Sequence, residues 1–230
     1  MRTIKINVKG TIISNDDKMI YDWFEMDSTC PRDIEESLNK AKKNEEIEVI
    51  INSGGGSVFA GSEIYSLLKE YRGKITGKIV GLAASATSVI AMGCDILKIS
   101  PTAQLMIHRA SMISAGNSED FAKGAEVLEG IDKSIANAYI LKTGLKQDEL
   151  LDMMSKETWL DAKTAKEKGF ADEILFDEDN KIVASFNSGV IPPQIINKLR
   201  NEFKNNKEEK QINEKELEIA KAKLNLQLNL

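Results

Sequence analysis

Apolar positions in the first 186 residues follow two periods. Ile4, Ile6 and Val8 alternate with polar residues, which predicts a half-buried strand. Pro31 suits the first turn of a helix, with Ser28 or Thr29 near its cap and Ile34, Leu38 and Ala41 on one face. The β-branched run Ile47–Ile51 predicts a strand that Ser53–Ser57 breaks, and a helix follows with Ile64, Leu67, Leu68 and Tyr71 inward. A strand from Ile75 to Val80 leads into the small residues Ala83–Ala86, and Ile96–Ile99 and Leu105–Ile107 predict two more strands. Asn117 or Ser118 caps a long helix with Phe121, Ala125, Leu128, Ile135 and Tyr139 on its inward stripe. Asp161 caps a short helix that Gly169 ends. Strand and helix alternate throughout, so the fold class is α/β with right-handed crossovers.

The pattern changes near residue 187. The stretch 187–193 holds two of the four prolines and reads as a linker. Beyond it, Lys, Glu and Asn dominate; Ile212, Ile219 and Leu226 are seven apart, as are Leu217 and Leu224. The chain therefore divides into a domain at 1–186 and a charged tail at 187–230, helical by itself or ordered on a partner. Charge sharpens the division. The tail carries 8 basic and 6 acidic residues, so of the formal net charge of −5 the first 186 residues carry −7. An acidic domain is poorly suited to nucleic acid. No apolar run approaches the ~20 residues of a membrane span, and the N-terminus lacks the apolar region of a signal peptide. With two separated cysteines and no disulfide framework, the expected location is cytoplasmic. One histidine and two cysteines exclude a Cys/His zinc cluster, so no metal and no cofactor is expected. The run Gly73–Ile79 has one spacer too few for a phosphate-binding loop, and Ile79 stands where a Mg²⁺-binding hydroxyl belongs.

Four short segments carry candidate chemistry, and each has a plain structural reading beside the chemical one. Gly54, Gly55 and Gly56 form a turn, or a loop that lies close to a ligand and offers backbone N–H groups to an oxyanion. Ser85 stands among small residues where a strand gives way to a helix; it is an N-cap, or a nucleophile beside the N–H of Ala86. The sequence lacks the GxSxG elbow of the α/β-hydrolases. His108 ends a strand, as a structural residue or a base. Glu157, two residues before Trp159, is a surface acid or a carboxylate able to fix a histidine tautomer. Cys30 and Cys94 have no activating cation and read as packing residues.

In order along the chain, Ile51–Gly56, Gly81–Ser85, Met106–His108, Glu157–Leu160 and Ala165–Asp172 resemble the proteolytic subunit of the Clp protease, over about residues 45–176. The resemblance implies a crotonase-like, ClpP-type spiral of ββα units with a long handle helix beginning near Asn117. It implies a serine endopeptidase acting on protein or peptide substrates inside a homo-heptamer or stacked double ring. It makes Ser85 the nucleophile, His108 the base, Glu157 the third triad member, Gly55 and Ala86 the oxyanion donors, and Gly54 and Gly56 part of the substrate loop. The family's Ser-Pro-Gly-Gly turn is Ser53–Gly56 here, its triad aspartate falls on Glu157, and 187–230 has no counterpart. These departures resemble phage-encoded Clp-related proteases that process capsid or scaffold proteins. A separate AAA+ unfoldase or a capsid or scaffold protein is the implied partner. Two other readings remain open: a crotonase-type acyl-CoA hydratase or isomerase, and an inactive ring-forming protein.

Overall fold

A computed structural model describes residues 4–42 and 45–177; the expected boundary near residue 186 and the tail lie outside the described residues. The chain runs β1 (Ile4–Ile12), α1 (Lys18–Trp23), β2 (Ser28–Thr29), α2 (Pro31–Asn39), β3 (Ile47–Gly56), α3 (Val58–Glu70), β4 (Ile75–Ala84) and α4 (Ala86–Met92). It continues through β5 (Ile96–Ile99), β6 (Gln104–Ile107), α5 (Ser118–Thr143), α6 (Gln147–Ser155), β7 (Thr158–Asp161), α7 (Ala162–Glu167) and β8 (Glu173–Ile174). The expected α/β class is the one observed. β1, β3, β4 and β5 lie side by side in parallel, flanked by β2 and β8, also parallel.

The strand β4 forks. Its first half, Thr76–Ile79, pairs with β5, and its last residues, Leu82–Ala84, pair with β6. β6 in turn pairs antiparallel with β7, Ile107 opposite Thr158. The fork brings the end of β4 beside the end of β6; Ser85 and His108 lie just beyond these ends, and Glu157 just before β7.

Burial explains the hydrophobic periods. Ile6, Val8, Val49, Ile51, Ile75 and Ile79 are buried in the sheet, and Ile64 and Leu68 carry α3 onto it. All seven residues of α4 are buried, which is why that segment is uniformly small or apolar. α3 approaches α4 through Gly61, where a Cβ would stand 3.0 Å from that of Ala86.

Two expectations are corrected. The glycines do not break β3, which continues through Gly56 because Thr11 and Ile12 of β1 pair with Gly55 and Gly56. The N-cap of α2 is Cys30, next to Thr29, and its N–H donates to Asp33 Oδ2 at 3.0 Å. The inward stripe of α5 begins only near Asp132: Ile135 and Tyr139 are buried, whereas Phe121 and Ala125 are exposed. Among the described residues the first half of α5 is mostly exposed, with Leu128 half-buried. Asn117 caps α5 as expected, accepting from the N–H groups of Glu119 and Asp120. Asp161 caps α7, accepting from Thr164 N–H at 2.7 Å.

Candidate active site

Ser85 occupies the single residue between β4 and α4. Its backbone has φ 56° and ψ −129°, a conformation that non-glycine residues rarely adopt and that costs of order 1–3 kcal/mol. Three contacts hold it there. Its N–H donates to Met106 O at 3.0 Å, and its carbonyl accepts from Ser88 N–H at 2.9 Å and from Ser88 Oγ at 2.6 Å. Ser88 Oγ is also 2.7 Å from the hydroxyl of buried Tyr139, whose phenol burial pushes upward in pKa. The Ser85 side chain caps nothing. It turns instead to His108, whose Nε2 lies 2.7 Å from Ser85 Oγ. With Nε2 as acceptor, that contact can take the hydroxyl proton as the oxygen attacks.

Glu157 is near His108 in backbone but not in side chain. The β6–β7 register ends at the pair Ile107 and Thr158, and His108 and Glu157 are the residues just beyond it. Met154 O accepts from the N–H groups of both Arg109 and Glu157 at 3.2 Å, which fixes the two turns side by side. The Glu157 carboxylate is exposed and accepts from the Trp159 indole N–H at 3.3 Å. No hydrogen bond or ion pair joins it to His108 among the described residues.

The glycines crowd the serine. A Cβ on Gly55, whose φ is +100°, would stand 2.6 Å from Ser85 Cβ, 2.8 Å from Ala84 O and 3.1 Å from Ala86 N. Only glycine permits this approach. The Gly55 amide therefore lies close to that of Ala86, but its N–H donates to Ser53 Oγ at 3.1 Å. Ser53 is buried; its hydroxyl donates to Gly10 O at 2.6 Å and accepts from Thr87 Oγ1 at 2.8 Å. Gly56 lines a cavity of about 200 Å³ that also touches Ser85, Ala86 and His108, with Val58, Val89, Ile135 and Tyr139 as its apolar walls. Gly54 does not reach that cavity; it lines an open depression with Thr11, Asn52 and Leu82.

Sequence pattern puts Ser53 in a turn and Tyr139 in the core, and nothing local ties these two, Ser88 or Asp132 to the site. Asp132, only 3 % exposed, accepts from Ala110 N–H at 2.8 Å and from Arg109 Nη1 at 3.0 Å. An acid three residues before Ile135 and seven before Tyr139 lies on the buried face of α5, and that placement was the available signal. Both cysteines are free and buried, and burial pushes the Cys94 thiol up to about 12. No group of three or more His, Cys, Asp or Glu suited to a metal occurs among the described residues.

A forked, mostly parallel α/β sheet with a serine–histidine contact at the fork describes a class of hydrolytic site. The comparisons narrow it. The Clp protease family model matches residues 34–178, and the chain belongs to that family of serine endopeptidases. The ATP-dependent Clp protease proteolytic subunit 1 of Chlamydia abortus is 30% identical over 143 residues, 60% of this chain and 74% of that protein. The corresponding subunit of Deinococcus radiodurans is 29% identical over 140 residues, 60% of this chain and 69% of its own length. A ClpP1 mutant from Listeria monocytogenes has the same fold, with a TM-score of 0.61 at 20% identity, covering 76% of this chain and 93% of that one.

Proposed function

We propose that this protein is a ring-forming serine endopeptidase in which Ser85 is the nucleophile and His108 the general base. The supporting observation is the 2.7 Å contact between His108 Nε2 and Ser85 Oγ at the mouth of the apolar-walled cavity. In this reading His108 takes the hydroxyl proton as Ser85 Oγ attacks the scissile carbonyl, then gives it to the leaving amine. Water hydrolyses the acyl-enzyme by the same route. The amides of Gly55 and Ala86 bind the tetrahedral oxyanion, once the Gly55 N–H turns from Ser53 Oγ. Gly56 lies along the substrate's path and the cavity receives an apolar side chain; Gly54 stays outside it.

Glu157 is the orienting acid of this reading. Rotation of its side chain away from Trp159 is needed to bring the carboxylate to Nδ1 of His108. Glu157→Gln is then expected to lower kcat at least about tenfold with little change in KM. Wild-type turnover in that variant removes Glu157 from the triad.

The substrates are protein chains, with capsid or scaffold proteins of a phage-type maturation pathway, or unfolded chains, as the natural ones. The glycine-only turn, Glu157 and the tail beyond residue 186 support the phage-type reading over a standard housekeeping subunit. The assembly is a heptameric or stacked ring, and any ATP dependence resides in a separate AAA+ partner. Free, buried cysteines suit a reducing cytoplasm, and no helix among the described residues is long and apolar enough to cross a membrane.

The test is incubation of the full chain with a fluorophosphonate probe, peptide mass mapping of the adduct, and turnover of fluorogenic peptides. The expected result is one adduct, on Ser85, with peptide hydrolysis lost in proportion to labelling. An adduct elsewhere, or acyl-CoA turnover without peptide hydrolysis, overturns the reading.

A further inference from the structure

The base is the last residue before an irregular stretch. β6 ends at Ile107 and α5 begins at Ser118, so His108 has no strand partner of its own. Over residues 108–116 the backbone is tied to the rest of the described fold by two hydrogen bonds. One is Arg109 N–H to Met154 O at 3.2 Å, and the other is Ala110 N–H to Asp132 Oδ1 at 2.8 Å. The second is the shorter, and its acceptor is a buried side chain that also pairs with the Arg109 guanidinium. Asp132 also binds Arg109 through Oδ2, so one carboxylate grips both residues that follow the base. Asp132 cannot drift, because Ile135, Ala136 and Tyr139 on the same face of α5 are in the core.

We propose that Asp132 is a positioning residue, which anchors residues 109 and 110 from α5 and so holds the His108 imidazole on Ser85 Oγ. The inference rests on the reading of Ser85 and His108 as nucleophile and base. It assigns to a buried acid, through the backbone, an orienting task that the exposed Glu157 carboxylate does not perform in this structure. Asp132 touches neither substrate nor the reacting atoms. Its effect is one of geometry: the imidazole must stay within hydrogen-bond reach of the hydroxyl, and misplacement by about 1 Å costs roughly 10²-fold in rate.

The experiment compares wild type, Asp132→Ala and Asp132→Asn in the full chain. It measures kcat, KM, the rate of fluorophosphonate labelling at Ser85, and thermal melting. Asp132→Ala is expected to slow both labelling and kcat about 10²-fold at a temperature where the variant is fully folded, with KM near the wild-type value. Asp132→Asn keeps an oxygen for the Ala110 N–H and is expected to recover to within about tenfold of wild type. A lower melting temperature with undiminished labelling overturns the proposal, because it is what a purely structural ion pair gives. Equal losses in the two variants overturn it too, because the backbone anchor would then not be the operative contact. Should Asp132→Ala fail to fold, Asp132→Glu decides. Its extra methylene pushes Ala110 outward, so a folded protein with kcat about tenfold lower supports the proposal, and unchanged kcat overturns it. Wild-type protein that is not labelled at Ser85 instead overturns the underlying reading of the site, which separates the two failures.

Discussion

His108→Ala is expected to lower kcat for peptide hydrolysis at least about 10⁴-fold, and Ser85→Ala to do the same. A serine hydroxyl is a weak nucleophile unless a base removes its proton during attack. In this structure the acceptor in reach of Ser85 Oγ is His108 Nε2, at 2.7 Å. The chain contains no other histidine, so no second imidazole can move into its place. Fold should survive the change. His108 is half-buried, and among the described residues its side chain makes no hydrogen bond other than that to half-buried Ser85. The two variants should therefore melt near the wild-type temperature while both lose fluorophosphonate labelling. The measurement is initial rate on a fluorogenic peptide beside labelling at Ser85. His108→Ala retaining more than about 1% of wild-type kcat would remove His108 from the role of base.

The parts of this site that could be read from sequence are those fixed by local pattern. Ile47–Ile51, Ile75–Val80 and Leu105–Ile107 announce strands by their composition, and Asn117 and Asp161 announce helix starts by their side-chain oxygens. Order along the chain then placed Ser85 before His108. Other features depend on what lies across the fold. A fork in β4 has no local signature, because Leu82–Ala84 can pair with any strand of suitable register. The positive φ of Ser85 is equally silent: the residue looks like an N-cap, and only the contacts to Met106 and Ser88 hold it as an elbow. Helical periodicity in α5 predicted an inward face without saying where the sheet beneath it ends, so Phe121 was placed inward and is exposed. Asp132 illustrates the same limit from the other side. An acid among Ile135, Ala136 and Tyr139 looks like a break in an apolar stripe until the backbone of Ala110 is seen to donate to it. Only family order points to Glu157; it precedes β7, and its carboxylate is turned to Trp159.

Gly55→Ala is expected to cost about 10²–10³-fold in kcat, the loss typical of one oxyanion donor. The new methyl group would meet Ser85 Cβ at 2.6 Å and Ala84 O at 2.8 Å. These are main-chain or near-main-chain atoms at the start of a fully buried helix, and α4 cannot yield. The end of β3 must move instead, and its own φ of +100° already disfavours any side chain. That movement carries the Gly55 N–H away from Ala86, so it could not turn from Ser53 Oγ to share one oxyanion with the Ala86 amide as proposed. Ser53 makes this loss specific to catalysis. Its hydroxyl keeps a donor bond to Gly10 O and an acceptor bond from Thr87 when Gly55 departs, so releasing the glycine amide leaves no orphaned group behind. In the proposed mechanism the same property would let the Gly55 N–H exchange Ser53 Oγ for a developing oxyanion at little cost, because a charged acceptor makes the stronger hydrogen bond. Ser85 and His108 remain in contact in the variant. The expected signature is thus a low kcat with a small change in KM, since the missing interaction belongs to the transition state. Kinetics on a fluorogenic peptide, with melting followed in parallel, measures it. A folded Gly55→Ala protein that turns over at the wild-type rate would show that the oxyanion is held elsewhere.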